Sequence, residues 1–164
     1  LMWMLTLLLA CGVARFEKKL DQVEFDHWRA LRIYMDEETQ KSYRKLKTRE
    51  ERDAFLKSEG LWDRFYQYEE RIREQIAAGD VKPGWDENML YLSWGQPFSR
   101  ERIFQRPAQE SYRLLFRFEQ LADGSILIWE PESKTQYKAI RLFQKEVLID
   151  DGIVAQVTDI DKGW

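Results

Sequence analysis

Two side chains that could do chemistry occur once each in this sequence, Cys11 and His27. A thiol can be a nucleophile, a metal ligand or a point of covalent attachment. An imidazole can be a general base or a ligand. Neither has neighbours that would complete a reaction centre. A Ser-His-Asp arrangement would need His27 to meet a serine and an acid from the distant half of the chain, and no G-x-S-x-G turn is present. Asp26 and Glu24 stand near His27, but their spacing is poor for a metal and no second soft ligand accompanies them. The acid pairs Glu69-Glu70 and Asp150-Asp151 are adjacent in sequence, so on a helix or turn they point apart and do not flank one substrate. Phosphate-binding loops of the G-x-x-x-x-G-K-[ST] and G-x-G-x-x-G kinds are absent. The expectation is no catalytic residue, no cofactor, no metal, and a binding protein rather than an enzyme. His27 reads as a structural residue on an amphipathic helix.

Cys11 has a more informative context. Residues Leu1 to Ala14 read LMWMLTLLLACGVA, an uncharged apolar run. It is shorter than the ~20 residues of a membrane-spanning helix, and its length suits the apolar region of a signal peptide. The run closes on Leu8-Leu9-Ala10-Cys11, which resembles the bacterial lipobox: a leucine, a small residue, then the cysteine whose thiol takes a diacylglycerol. The expected division is a lipoprotein signal over 1–10 and a mature chain that begins at Cys11. The positively charged start of a secretory signal is missing. Either the first residues are lost or Met2 or Met4 is the true start. The alternative is a short buried N-terminal helix. Charge appears directly after Ala14 (Arg15, Glu17, Lys18, Lys19), as a tether would have it. Gly12 rather than Asp after the cysteine favours the outer membrane over inner-membrane retention.

The remaining composition bounds the fold. The chain has 164 residues, 14% aromatic and 34% charged, with a net charge of −3. That is enough for one core and an appendage, and too aromatic for a disordered chain. Acids and bases are interspersed, so no nucleic-acid partner is expected.

Residues 13–78 read as helices. Phe16, Leu20, Val23 and His27 fall three or four apart, as do Trp28, Leu31 and Met35. Asp36 can cap a second helix. Thr48 with Glu51 forms a capping box for a third, and Gly60 suits its left-handed exit. Leu61 to Ala78 is a further helix that Tyr68 to Glu70 can break, with Gly79 at its end. The heavy charge along this half is a solvated face.

The stretch GWDENMLYLSWGQP, from Gly84 to Pro97, admits a strand or a helix. Asp86 as N-cap, Glu87 in the first turn and the Gly95-x-Pro97 stop favour a short helix over 86–94, with Leu90, Trp94 and Trp85 packed on a sheet. The residues after it, Phe98, Arg100, Arg102, Phe104 and Arg106, read as a charged aromatic loop that could touch a partner or lipid head groups.

The C-terminal third alternates like strands: Ser111 to Glu119, then Asp123-Gly124 as a hairpin turn, then Ser125 to Glu130. Pro131 ends that strand. Thr135 to Phe143 reads as the next, and Lys145 to Ile149 as its continuation or another. Asp151-Gly152 is a second hairpin turn, into Ile153 to Thr158. The expectation is α+β: N-terminal helices packed on a four- to five-stranded antiparallel meander, in one compact domain with an internal boundary at 78/79.

From Gly79 to Trp129 the sequence resembles the SmpA/OmlA, or BamE-like, outer-membrane lipoproteins. Their pattern is a helix, a V-x-x-G-M-T turn, a helix ending G-x-P, and antiparallel strands. Val81 and Gly84 stand at the turn, Trp85-Asp86 replace Met-Thr, and Gly95 and Pro97 form the stop. The long charged helices before Gly79 are not part of that family's minimal module. A second resemblance is to GWxTD-type envelope domains, although Thr-Asp is absent at Asp86-Glu87. The first resemblance implies an accessory role in outer-membrane assembly or maintenance, held by the lipid anchor and partnered by an envelope protein complex. The competing expectation is a periplasmic ligand-binding or enzymatic lipoprotein with a cleft between helices and sheet.

Overall fold

A computed structural model of the protein describes residues 12–129 and 135–160. Cys11 and the residues before it, and Glu130 and Pro131, lie outside the described residues. The fold is α+β, with the helices N-terminal to an antiparallel sheet. Contacts divide the chain into two compact units, residues 1–73 and 74–164.

In the first unit residues 12–17 are helical, and α1 (Gln22–Leu31), α2 (Glu37–Lys45), α3 (Arg49–Ser58) and α4 (Trp62–Tyr66) come after them. The stripe Phe16-Leu20-Val23-His27 is not one helical face. Asp21 starts a new helix: it caps the Glu24 N–H at 2.8 Å, and the Glu24 side chain returns to the Asp21 N–H at 3.3 Å. This reciprocal capping box fixes where the chain breaks, and Val23 is left exposed. Asp36 and Thr48 cap α2 and α3 through Thr39 and Glu51. Gly60, at φ +69°, closes α3. The core is aromatic. Trp28 and Tyr43 stack at 5.7 Å, and Phe16 stands edge-on to both. Leu31 and Leu56 complete it. A buried ion pair, Arg52–Glu24 at 2.6 Å, joins α3 to α1, and Arg52 also donates to the Leu46 carbonyl at 3.0 Å.

Helix α5 (Glu70–Ala78) crosses the division between units. Its second half belongs with the sheet because α6 (Glu87–Trp94) is bonded to it. Ser93 Oγ donates to the Ile76 carbonyl at 2.8 Å, and Trp94 Nε1 to the Gly79 carbonyl at 3.0 Å. The contact division falls within α5, after Arg73.

The sheet consists of β1 (Ser99–Ile103), β2 (Ser111–Gln120), β3 (Ile126–Ile128), β4 (Arg141–Asp150) and β5 (Ile153–Ile160). It is not a simple meander. The central strand β2 pairs with β4 along its whole length. Its other edge is shared end to end: β1 covers Ser111–Leu115 and β3 covers Phe118–Gln120. Two further expectations are corrected. Of the residues read as a loop after Phe98, Ser99–Ile103 form the edge strand β1, which carries Arg100 and Arg102, while Phe104 and Arg106 lie in the loop beyond it. The strand's alternating charges suit an edge, where one side faces water. Thr135–Lys138 is a 3-10 turn rather than strand. Pairing starts at Arg141, opposite Gln120, because β2 ends there and offers no ladder beyond. Leu114, Phe116 and Phe118 of β2, Val147 and Ile149 of β4 and Val154 of β5 build the core with Leu90 and Trp94.

Candidate functional site

Asp86 accepts from the Met89 N–H at 2.8 Å, and Gly95 ends α6 at φ +72°. The helix is seated at both ends. At its start Glu87 N–H donates to Gly152 and Gly84 N–H to Val154, binding it to the β4–β5 turn and β5. At its end the Trp94 ring stands edge-on to Phe116 and Phe118, at 5.3 and 5.2 Å. Trp85 and Leu90 are buried beside it. The stretch from Gly84 to Pro97 thus plugs one face of the sheet and delivers the chain into β1.

The five residues singled out beyond it are not equally free. Arg106 grips Asp150 with two bonds, 2.8 and 2.6 Å, and Ser111 Oγ adds a third at 2.7 Å. The Arg106 guanidinium, with Ser111, holds the Asp150 carboxyl down at about 2. Arg100 binds Glu87 and the Tyr91 hydroxyl and lies over the Tyr112 ring. Arg102 lies over Phe104, with Glu110 at 3.9 Å. Phe98 packs on Trp129 and under the Arg117 guanidinium, 3.4 Å from its ring centre. These contacts commit most of the cationic and aromatic groups to the fold itself. Phe104 remains 80% exposed.

His27 has a setting that sequence spacing did not reveal. Its Nε2 lies 2.6 Å from the Tyr66 hydroxyl, and its Nδ1 is 3.8 Å from Asp53 Oδ1. Neither His27 Nδ1 nor Asp53 Oδ1 has a hydrogen-bond partner among the described residues. Trp62, Phe65 and Tyr66 enclose the imidazole with their rings. Three elements, α1, α3 and α4, bring these groups together, and no sequence motif links them. An Asp–His–Tyr line can in principle move a proton to or from a phenol. Here burial lowers the His27 pKa despite Asp53, and burial raises that of Tyr66. The histidine is 1% exposed, so a substrate could meet the partly exposed Tyr66 or Asp53 and not the imidazole. A raised phenol pKa is the reverse of activation.

Among the described residues no group of three or more His, Cys, Asp or Glu side chains could hold a metal ion, and no helix is long and apolar enough to cross a membrane. No family model, no curated protein and no solved structure matches the chain.

Proposed function

We propose that this protein is a lipid-anchored envelope protein of bacteria that binds rather than catalyses, an accessory to outer-membrane assembly or maintenance. The observation that carries the reading is Leu8-Leu9-Ala10-Cys11 at the end of an uncharged apolar run, with a charged segment directly after it. A diacylglycerol and an added acyl chain exceed the two-signal threshold for stable anchoring. The element order supports the BamE-like resemblance: helix, turn at Gly84, helix capped by Asp86, stop at Gly95 and Pro97, then antiparallel strands. On this reading the mature chain faces the periplasm from the outer membrane. The test is metabolic labelling with an alkyne fatty acid in cells expressing the protein from its own gene. Label on the wild type, and its loss with Cys11→Ser, is the expected result. An unlabelled wild type overturns the anchor.

A second reading, an enzymatic or ligand-binding envelope protein, is favoured by the alignment of Asp53, His27 and Tyr66. It requires that Tyr66→Phe abolish an activity and leave the fold intact.

A further inference from the structure

At the end of the sheet remote from the β4–β5 turn, five consecutive residues combine cations with exposed apolar side chains: Tyr137, Lys138, Ala139, Ile140 and Arg141. Tyr137 is 83% exposed and Ile140 67%. The backbone is held to the sheet at Ile140 and Arg141. Ile140 N–H donates to the Gln120 carbonyl at 2.8 Å, and Gln120 pairs with Arg141 on one side and Ile126 on the other. Ile126 is exposed too, roughly 10 Å from Arg141 by two strand spacings. Neither Lys138 nor Arg141 has a carboxylate partner among the described residues; Arg141 lies over the Phe143 ring at 4.9 Å. Asp123, an acid on the neighbouring turn, is folded back onto Ser125. Glu119 is fully buried. By contrast, Arg100, Arg106, Arg113 and Lys145 of the same unit each hold an acid.

We infer that this corner is a contact for an anionic phospholipid surface, with Tyr137 and Ile140 entering the headgroup layer and Lys138 and Arg141 on the phosphates. A tyrosine and an aliphatic tip beside basic groups have the composition of a membrane interface, where the ring sits at headgroup depth and the cations meet negative lipid. A protein partner fits less well. A stable protein interface takes about 20–30 residues a side, and this corner offers five or six. The inference rests on the reading that the chain works at a membrane, and it locates the part of the second unit that touches it.

The test places a bimane dye at position 140 of the full chain (Ile140→Cys in a Cys11→Ser background) and adds mixed phosphatidylcholine–phosphatidylglycerol vesicles carrying brominated lipid. The expected result is a blue-shifted, quenched dye. Added salt or the pair Lys138→Glu, Arg141→Glu should lower the vesicle affinity of the patch about tenfold. Both cations are solvent-facing, so circular dichroism should be unchanged by the pair. A dye that stays unquenched while the chain sediments with vesicles overturns the inference, since insertion of the apolar N-terminus alone leaves position 140 in water. A blue shift that grows with protein concentration and needs no vesicles also overturns it and gives the patch to a second copy. The anchor is tested separately at Cys11: acyl labelling with no quenching at 140 leaves the anchor and removes the patch, and quenching with no labelling does the reverse.

Discussion

The indole N–H of Trp94 donates to the carbonyl of Gly79 at 3.0 Å and ties the last turn of α6 to the end of α5. Gly79 sits at φ +80°, and a Cβ there would lie 3.6 Å from the same indole nitrogen. The same ring fills the space against Phe116 and Phe118. Trp94→Ala removes both and should cost ~3–5 kcal/mol. Trp94→Phe keeps the ring contacts but strands the carbonyl, and should cost about 1–3 kcal/mol. Urea titration followed by circular dichroism measures both, and an unchanged midpoint for Trp94→Ala would show that α6 is not the plug of the sheet.

The β4–β5 turn isolates a backbone effect. Asp151 and Gly152 have φ of +48° and +81°, both positive, as a type I′ hairpin requires. A Cβ at Gly152 meets nothing within 4 Å. Gly152→Val therefore costs only conformation, about 1 kcal/mol or more. A melting curve identical to wild type would rule out that origin.

Tyr43 should give the opposite sign. Its ring is fully buried, its hydroxyl has no hydrogen-bond partner among the described residues, and burial drives its pKa up. Tyr43→Phe keeps the stacking on Trp28 and drops an unsatisfied group, so it should be neutral or stabilising by about 1 kcal/mol. A marked loss of stability in the same denaturation experiment would mean that the hydroxyl is satisfied in solution.

His27 makes the first unit sensitive to pH. Its folded pKa lies below the ordinary imidazole value of 6.5, chiefly because of burial. As pH falls, the unfolded chain then takes up the proton first. Stability is fully present above about 6.5 and falls as pH drops toward the lowered folded value. Asp53, Asp26 and Asp21 oppose this shift and Arg49 reinforces it. Thermal melts at a series of pH values should show the loss in wild type and a flatter profile in His27→Gln. Equal slopes in the two proteins would assign the pH dependence to other groups.

The parts of this fold that were legible in the sequence are those set by local chemistry. Asp36, Thr48 and Asp86 cap helices because a short acceptor side chain reaches a free N–H two or three residues on. Alternation from Tyr112 to Phe118 marks a strand with one face inward. The features hidden from sequence reading depend on distant partners. Ser99–Ile103 has no apolar alternation because, as an edge, it is stabilised by its ladder to β2. The placement of β3 beside β1 comes from the spare length of β2, which no local signal records. Arg106–Asp150, Arg52–Glu24 and His27–Tyr66 are separated by 44, 28 and 39 residues. Residue types at such distances carry no spacing to read.

The proposed location and role both depend on the anchor at Cys11. Its most direct measurement is intact mass spectrometry of the protein recovered from the membranes of cells that express it from its own gene. The prediction is a mature chain whose N-terminal residue is Cys11 with a thioether-linked diacylglycerol, and accumulation of the unprocessed chain for Cys11→Ser. A wild-type protein that retains the residues before Cys11 and carries no acyl mass would contradict it.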